Sequence, residues 1–232
     1  MDSGDGQHQK PIYTLANERV HIFQEQLLQW YAQHGRDLPW RNTRDPYCIL
    51  VSEMMLQQTQ VKRVLPKYLE WLQIYPTFET LAVASLEDVK EKWKPLGYNI
   101  RPERLHEIAQ FVVSKCNGHL PETLEELMAF SGIGRATAGA ILSFAFHKDA
   151  PIVDTNIQRV ILRIFGIHDD PKHAKVEKTI WKLAEVLLPK GLAYIFNQAI
   201  FDFGALICTA QNPSCSSCFN YTACPWYACH SK

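Results

Sequence analysis

The chain has no excess of either charge: 24 Lys and Arg balance 24 Asp and Glu over 232 residues. That argues against a protein that coats nucleic acid by bulk charge, which shows a basic surplus. Any contact with a polyanion has to rest on locally placed cations. No apolar run approaches the length that spans a bilayer. The N-terminus, MDSGDGQHQKPIY, has no apolar segment of the signal-peptide kind, so the expectation is a soluble intracellular protein with a disordered start. Alternating polar and apolar runs, the mark of half-buried strands, are absent, as are internal repeats. What is present is a hydrophobic fraction of 47%, ample for a packed core, and apolar residues recurring at helical spacing.

Helices are predicted over Val20 to His34, from Pro46 with Asp45 as cap, over Val61 to Tyr75 (kinked or begun late at Pro66), after Ser85, and over Pro102 to Cys116. Further helices follow Thr123 and span Arg135 to Phe146, Asn156 to Phe165, Ala174 to Leu188 and Ala193 to Cys208. The fold class is therefore all-α. Basic residues cluster at Lys62-Arg63-Lys67, Arg101-Arg104 and Lys172-His173-Lys175-Lys178, each equally readable as a solvated helix face.

Ser131 to Arg159 organises the chain. Gly132-Ile133-Gly134 is too glycine-dense for a helix interior and separates two helical patterns, so the segment reads as helix, glycine hairpin, helix. Such a hairpin presents free backbone N–H groups at the start of the second helix, and these bind phosphate. About twenty residues later Asp154 stands where an N-cap belongs, with Asn156 close behind.

Four of seven cysteines, Cys208, Cys215, Cys218 and Cys224, fall in seventeen residues as C-x6-C-x2-C-x5-C. Disulfides are not expected in an intracellular chain, so four close thiolates point to one metal centre, zinc or iron–sulfur. Cys48 reads as a buried small residue and Cys229 as a free thiol of the tail.

Val51-Ser52-Glu53-Met54-Met55-Leu56-Gln57-Gln58-Thr59-Gln60 is the most specific segment. Glu53, Gln57 and Gln60 recur at i, i+4 and i+7 and would share one face of an otherwise apolar helix. The segment resembles the signature of adenine-specific mismatch DNA glycosylases of the MutY type, within the superfamily that includes endonuclease III. Leu38-Pro39-Trp40-Arg41, Leu96-Gly97-Tyr98, the run Gly132 to Ala140 and Phe196-Asn197-Gln198-Ala199 agree, and the 6-2-5 cysteine spacing is that of the superfamily's [4Fe–4S] loop. Tyr98-Asn99, Ala136 and Thr155 depart from the usual pattern. The chain also ends eight residues past Cys224, where full-length members continue into a domain that helps read 8-oxoguanine.

The resemblance implies a six-helix barrel domain (38–149) carrying the hairpin. It implies an iron–sulfur domain built from 17–37 and 150–232, with 1–16 disordered. Glu53 would protonate the departing purine, its apolar helix raising its pKa. Asp154, favoured as an anion by the helix dipole, would stabilise the sugar cation, and Asn156 would orient it or a water. Trp40, Arg41, Gln57 and Gln198 would meet the base, and Gln58 and Tyr98 would fill the helix as the nucleotide leaves it. Gly132, Gly134, Arg135 and Ala136 would hold the backbone. Endonuclease III carries a Lys where Ala136 stands, so base removal without strand cleavage is implied. The partner would be double-stranded DNA containing a mismatch or lesion, with no membrane, bound by a monomer in a prokaryotic cytoplasm. Two alternatives stay open: a thymine/uracil mismatch glycosylase on the same scaffold, and a catalytically silent lesion-binding module.

Overall fold

The computed structural model describes residues 17–97 and 100–230, and among these every regular element is helical. The chain runs through α1 (Asn17–His34), α2 (Pro46–Leu56), α3 (Val61–Ile74), α4 (Phe78–Ala82), α5 (Leu86–Trp93), α6 (Ile100–Lys115) and α7 (Leu124–Met128). It continues through α8 (Arg135–Phe144), α9 (Thr155–Phe165), α10 (Ala174–Leu187), α11 (Ala193–Leu206) and α12 (Pro225–His230).

Local chemistry sets most boundaries. Asp45 caps α2 by accepting from the backbone N–H groups of Tyr47 and Cys48, and Pro46 occupies the first turn, where its missing N–H costs nothing. Ser85 and Thr123 cap α5 and α7 in the same manner. Thr77 and Thr80 form a reciprocal capping box that starts α4, a five-residue helix too short to have a legible period. α3 starts at Val61 and runs on through Pro66.

α2 is the axis of the larger packing unit. It contacts α3, α6 and α8, and seven of its eleven residues are buried, which explains why its sequence is apolar on most sides. Trp71, on α3, meets Trp93 and Tyr75 edge-on, with ring centroids 5.3 and 4.9 Å apart. α4 and α5 lie along α6, and α7 along α8. A second group forms where α11 packs on α1 and α9, with α10 and α12 against α9, while α11 also touches α8.

Two buried cations hold this arrangement. Arg101, grouped in the sequence with Arg104 as a basic surface cluster, is only 1% exposed. Its Nη1 donates to the carbonyls of Met54, Met55 and Gln57 at 2.6–3.0 Å, and its Nη2 donates to Thr59 Oγ1 and to the Gly97 carbonyl. It therefore closes the C-terminal end of α2, where unpaired carbonyls accumulate negative charge. The second is Arg41. It forms a two-pronged ion pair with Asp202 of α11 at 2.7 and 2.8 Å, and Arg36 adds its own bonds to the same carboxylate at 2.7–2.8 Å. Together they hold the Asp202 carboxyl below its ordinary value against the opposing effect of burial.

Because the Asp202 side chain is wholly inaccessible, removing its charge leaves two guanidinium groups without a counter-ion. Asp202→Asn is expected to cost about 3–5 kcal/mol of folding stability, measurable as a lowered urea midpoint.

Candidate active site

α2 carries Glu53 on a half-buried position, facing the start of α9. Burial first, and the neighbouring charge of Asp154 second, push the Glu53 carboxyl up to about 8. At neutral pH it is a protonated acid.

Asp154 caps α9. Its Oδ1 accepts from the backbone N–H groups of Asn156 and Ile157 at 2.9 and 2.8 Å, and its Oδ2 accepts from Asn156 Nδ2 at 3.0 Å. The sequence led to the expectation that this helix terminus would favour the anion outright. Instead burial prevails over the hydrogen bonds and over the charge of Arg159, and the Asp154 carboxyl lies above its ordinary value. The two carboxyls are thus not pushed in opposite directions. Both are raised, and Asp154 is restrained by donors that Glu53 lacks.

Asn156 is fixed in turn, since its Oδ1 accepts from Arg159 Nη2 at 2.9 Å. Arg159 also donates to the carbonyls of Gly204 and Cys208 at 2.7 and 2.8 Å. One turn on, Arg163 donates to Cys208 Sγ at 3.4 Å and to the Thr209 carbonyl at 2.7 Å, and stacks on Trp226. One face of α9 therefore connects the candidate catalytic carboxylate to the cysteine loop. Nothing local marks these two arginines as links, because their partners around Cys208 lie more than forty residues away.

The segment entering α9 is pinned from two sides. Gly139 lets α8 approach so closely that a Cβ there would lie 2.6 Å from the Pro151 carbonyl oxygen. Asn197, buried on α11, donates to Ser143 Oγ at 3.1 Å and to the Ala150 carbonyl at 2.9 Å.

The hairpin has the anticipated form. Gly132 adopts φ of +92°, Gly134 is the N-cap of α8, and no side chain caps that terminus, leaving its first N–H groups outward. Gln57 was expected on the Glu53 face of a longer helix. Instead α2 ends at Leu56, the chain turns through Gln58 at φ +54°, and Gln57 Nε2 donates to the Gly132 carbonyl at 3.0 Å. The reason is Arg101, which gathers the carbonyls a continued helix would need. Gln57 thus ties α2 to the hairpin, Gln58 is exposed at the tip of a strained turn, and Gln60 precedes α3.

The remaining sequence-derived positions divide. Trp40 is 6% exposed and packs edge-on against Tyr68. Arg41 is engaged with Asp202, with only its Nε lacking a partner among the described residues. Gln198 is buried on α11, one turn before Asp202. Ala136 sits half-buried in the first turn of α8. Arg135 leans away from the hairpin, stacked 3.9 Å over Trp181 and 3.2 Å from the Glu185 carboxylate. Tyr98 lies outside the described residues.

Cys208, Cys215, Cys218 and Cys224 line one cavity together with Ile207, Pro213 and Trp226. Among the described residues no three His, Cys, Asp or Glu side chains are grouped as a single ion requires. Four thiols ringing a shared, largely apolar space suit a larger, sulfur-ligated group.

Residues 51–185 match the family described as HhH-GPD superfamily base excision DNA repair protein, and the chain belongs to that family. It is 44% identical over 217 residues to the adenine DNA glycosylase of Mus musculus, a match that covers 90% of this chain and 42% of that protein. The chain thus spans less than half the length of that relative. It is also 36% identical to the thymine/uracil-DNA glycosylase of Pyrobaculum aerophilum, over 84% of this chain and 87% of that one. Among solved structures, a thermostable thymine-DNA glycosylase superimposes with a TM-score of 0.85 at 33% identity, covering 91% of this chain and 98% of that one. No helix among the described residues is long and apolar enough to cross a membrane.

Proposed function

We propose that the chain is a DNA N-glycosylase that removes a mispaired base, adenine before thymine or uracil, without cutting the strand. The reading is supported chiefly by Glu53, whose carboxyl is raised to about 8 by burial and by the charge of Asp154, a residue itself anchored as the cap of α9. The nucleotide leaves the duplex at a cost of a few kcal/mol, and the hairpin N–H groups hold the backbone meanwhile. Glu53 gives its proton to N7 of the flipped purine as the C1′–N9 bond breaks and its electron pair goes to the base. Asp154 as carboxylate faces the cationic sugar. Water then adds to C1′ and gives up a proton to a carboxylate, leaving an abasic strand. Asn156 keeps Asp154 oriented. Gln58 would enter the space the nucleotide vacates, a role that its exposure on a turn at positive φ supports.

The adenine reading is supported by 36–45% identity to adenine DNA glycosylases of animals and bacteria. The thymine/uracil reading is supported by 36% identity to the Pyrobaculum enzyme and by the superposition on a thermostable thymine-DNA glycosylase. Duplexes with A opposite 8-oxoguanine, A opposite G, T opposite G and U opposite G separate the two, and release of adenine is expected. The first turn of α8 carries no lysine, and Lys148 beyond it is held by the Glu122 carboxylate 3.3 Å away and by the Glu122 carbonyl. The engagement of Lys148 by Glu122 supports base removal without a Schiff base. The product strand should stay intact until treated with alkali, and borohydride should trap no adduct. A stoichiometric lysine adduct would overturn the monofunctional assignment.

The state of Glu53 fixes a pH dependence. Its carboxyl carries the proton below about 8, so single-turnover release of adenine should fall as pH rises through that value. Glu53→Gln should lose at least about 100-fold in rate and abolish this limb. Retention of the limb in that variant would assign the proton to another group.

Cys208, Cys215, Cys218 and Cys224 would hold a [4Fe–4S] cluster, which would brace the loop against α9. The 17–37 and 150–232 segments would form the domain built on it, and 38–149 the barrel domain. Purified protein is expected to be brown with about four iron atoms per chain, and Cys215→Ser to lose that iron and bind DNA more weakly. A colourless protein with stoichiometric zinc would refute the cluster.

A further inference from the structure

The sequence offers Arg135 as the cation of the hairpin, since it stands at the first position of α8. In the fold its guanidinium is turned toward α10, where Glu185 meets its charge and Trp181 its face. Another cation takes the place beside the glycines. Arg104, half-buried on α6, lays its aliphatic stem across Gly132: a Cβ added at that glycine would lie 2.8 Å from Arg104 Cδ and 3.4 Å from its Nη1. The close fit is possible because Gly132 has no side chain and adopts φ of +92°. Arg104 enters no ion pair or hydrogen bond within the described residues, whereas its neighbour Glu103 is paired with Lys90 at 2.8 Å and Arg101 is buried under α2. A positive charge with no ion-pair or hydrogen-bond partner among the described residues, on a packed stem, therefore stands against Gly132, two residues before the uncapped start of α8, in a chain of zero net charge.

The geometry points to Arg104, and not Arg135, as the side chain that pairs with the DNA phosphate seated on the hairpin. This rests on the reading that the hairpin meets DNA. Backbone N–H groups give the phosphate direction but carry only partial charge. A guanidinium gives a full charge and two donors suited to phosphate oxygens. Its packed stem reduces the freedom lost on contact, so Arg104 sets part of the affinity and of its salt dependence without reading sequence.

The test is binding of the full chain to an undamaged duplex and to an A opposite G duplex across a salt series. Arg104→Met keeps the stem over Gly132 and removes the charge. Its slope of log K against log salt should be shallower by about 1 on both duplexes, and its affinity at low salt should fall several-fold. Arg104→Lys should restore the slope, since a charge and not a shape is at issue. Arg135→Met should keep the wild-type slope. An unchanged slope in Arg104→Met, or a drop carried by Arg135→Met instead, would overturn the assignment. Base release by the wild-type chain is measured separately. A shallower slope for Arg104→Met with no base released would uphold this phosphate contact while refuting the enzymatic reading.

Discussion

The candidate site depends on how closely α8 lies against the segment that leads into α9. Gly139 is the condition for that approach, because any side chain there would collide with the Pro151 carbonyl. With the two chains in contact, the hairpin at one end of α8 and Asp154 at the start of α9 become parts of one rigid piece. Asn197 secures the same junction from α11 by bonding to both sides of it. Gly139 and the buried Asn197 amide thus hold the glycine turn and the Asp154 carboxylate at a defined separation.

From that junction the polar contacts spread outward. α9 carries Asp154 at its N-terminus and, on one face, Asn156, Arg159 and Arg163, which end on the carbonyls and sulfur around Cys208. α2 is held on the other side by Arg101, and the turn that Arg101 creates sends Gln57 to the hairpin and Gln58 to the surface. The two carboxyls are consequently presented by α2, whose end is closed by the buried Arg101, and by α9, which half-buried Arg159 and Arg163 tie to the carbonyls around Cys208. Buried cations of this kind are costly unless every donor is used, and Arg101 uses its donors on carbonyls that would otherwise be unpaired.

The electrostatics of the pair follow from the same packing. Among the described residues Glu53 gains no hydrogen-bonding compensation for its burial, and its carboxyl is pushed up to about 8. Asp154 is buried as well, yet three donors limit the effect. The difference between the two carboxyls thus arises from the number of donors each meets among the described residues, and not from burial of one and exposure of the other.

The sequence by itself determined the helical class, the positions of most helices, the glycine hairpin, the Asp154 cap and the cysteine loop. Each of these depends on residues close together in the chain: caps within three positions, apolar residues at a fixed period, glycines at a turn. The short α4 and α12 escaped because five or six residues do not establish a period. Tertiary structure alone decided which charges are surface and which are fasteners. Nothing in the local sequence around Arg41, Arg101, Arg135 and Arg159 tells a fastener from a surface charge. Their roles are set by carboxylates, rings and carbonyls more than forty residues away. The same holds for the end of α2 at Leu56, which local propensity would have carried on to Gln60. A buried guanidinium from α6 took the carbonyls instead, and a long-range contact of that kind leaves no trace in the local pattern.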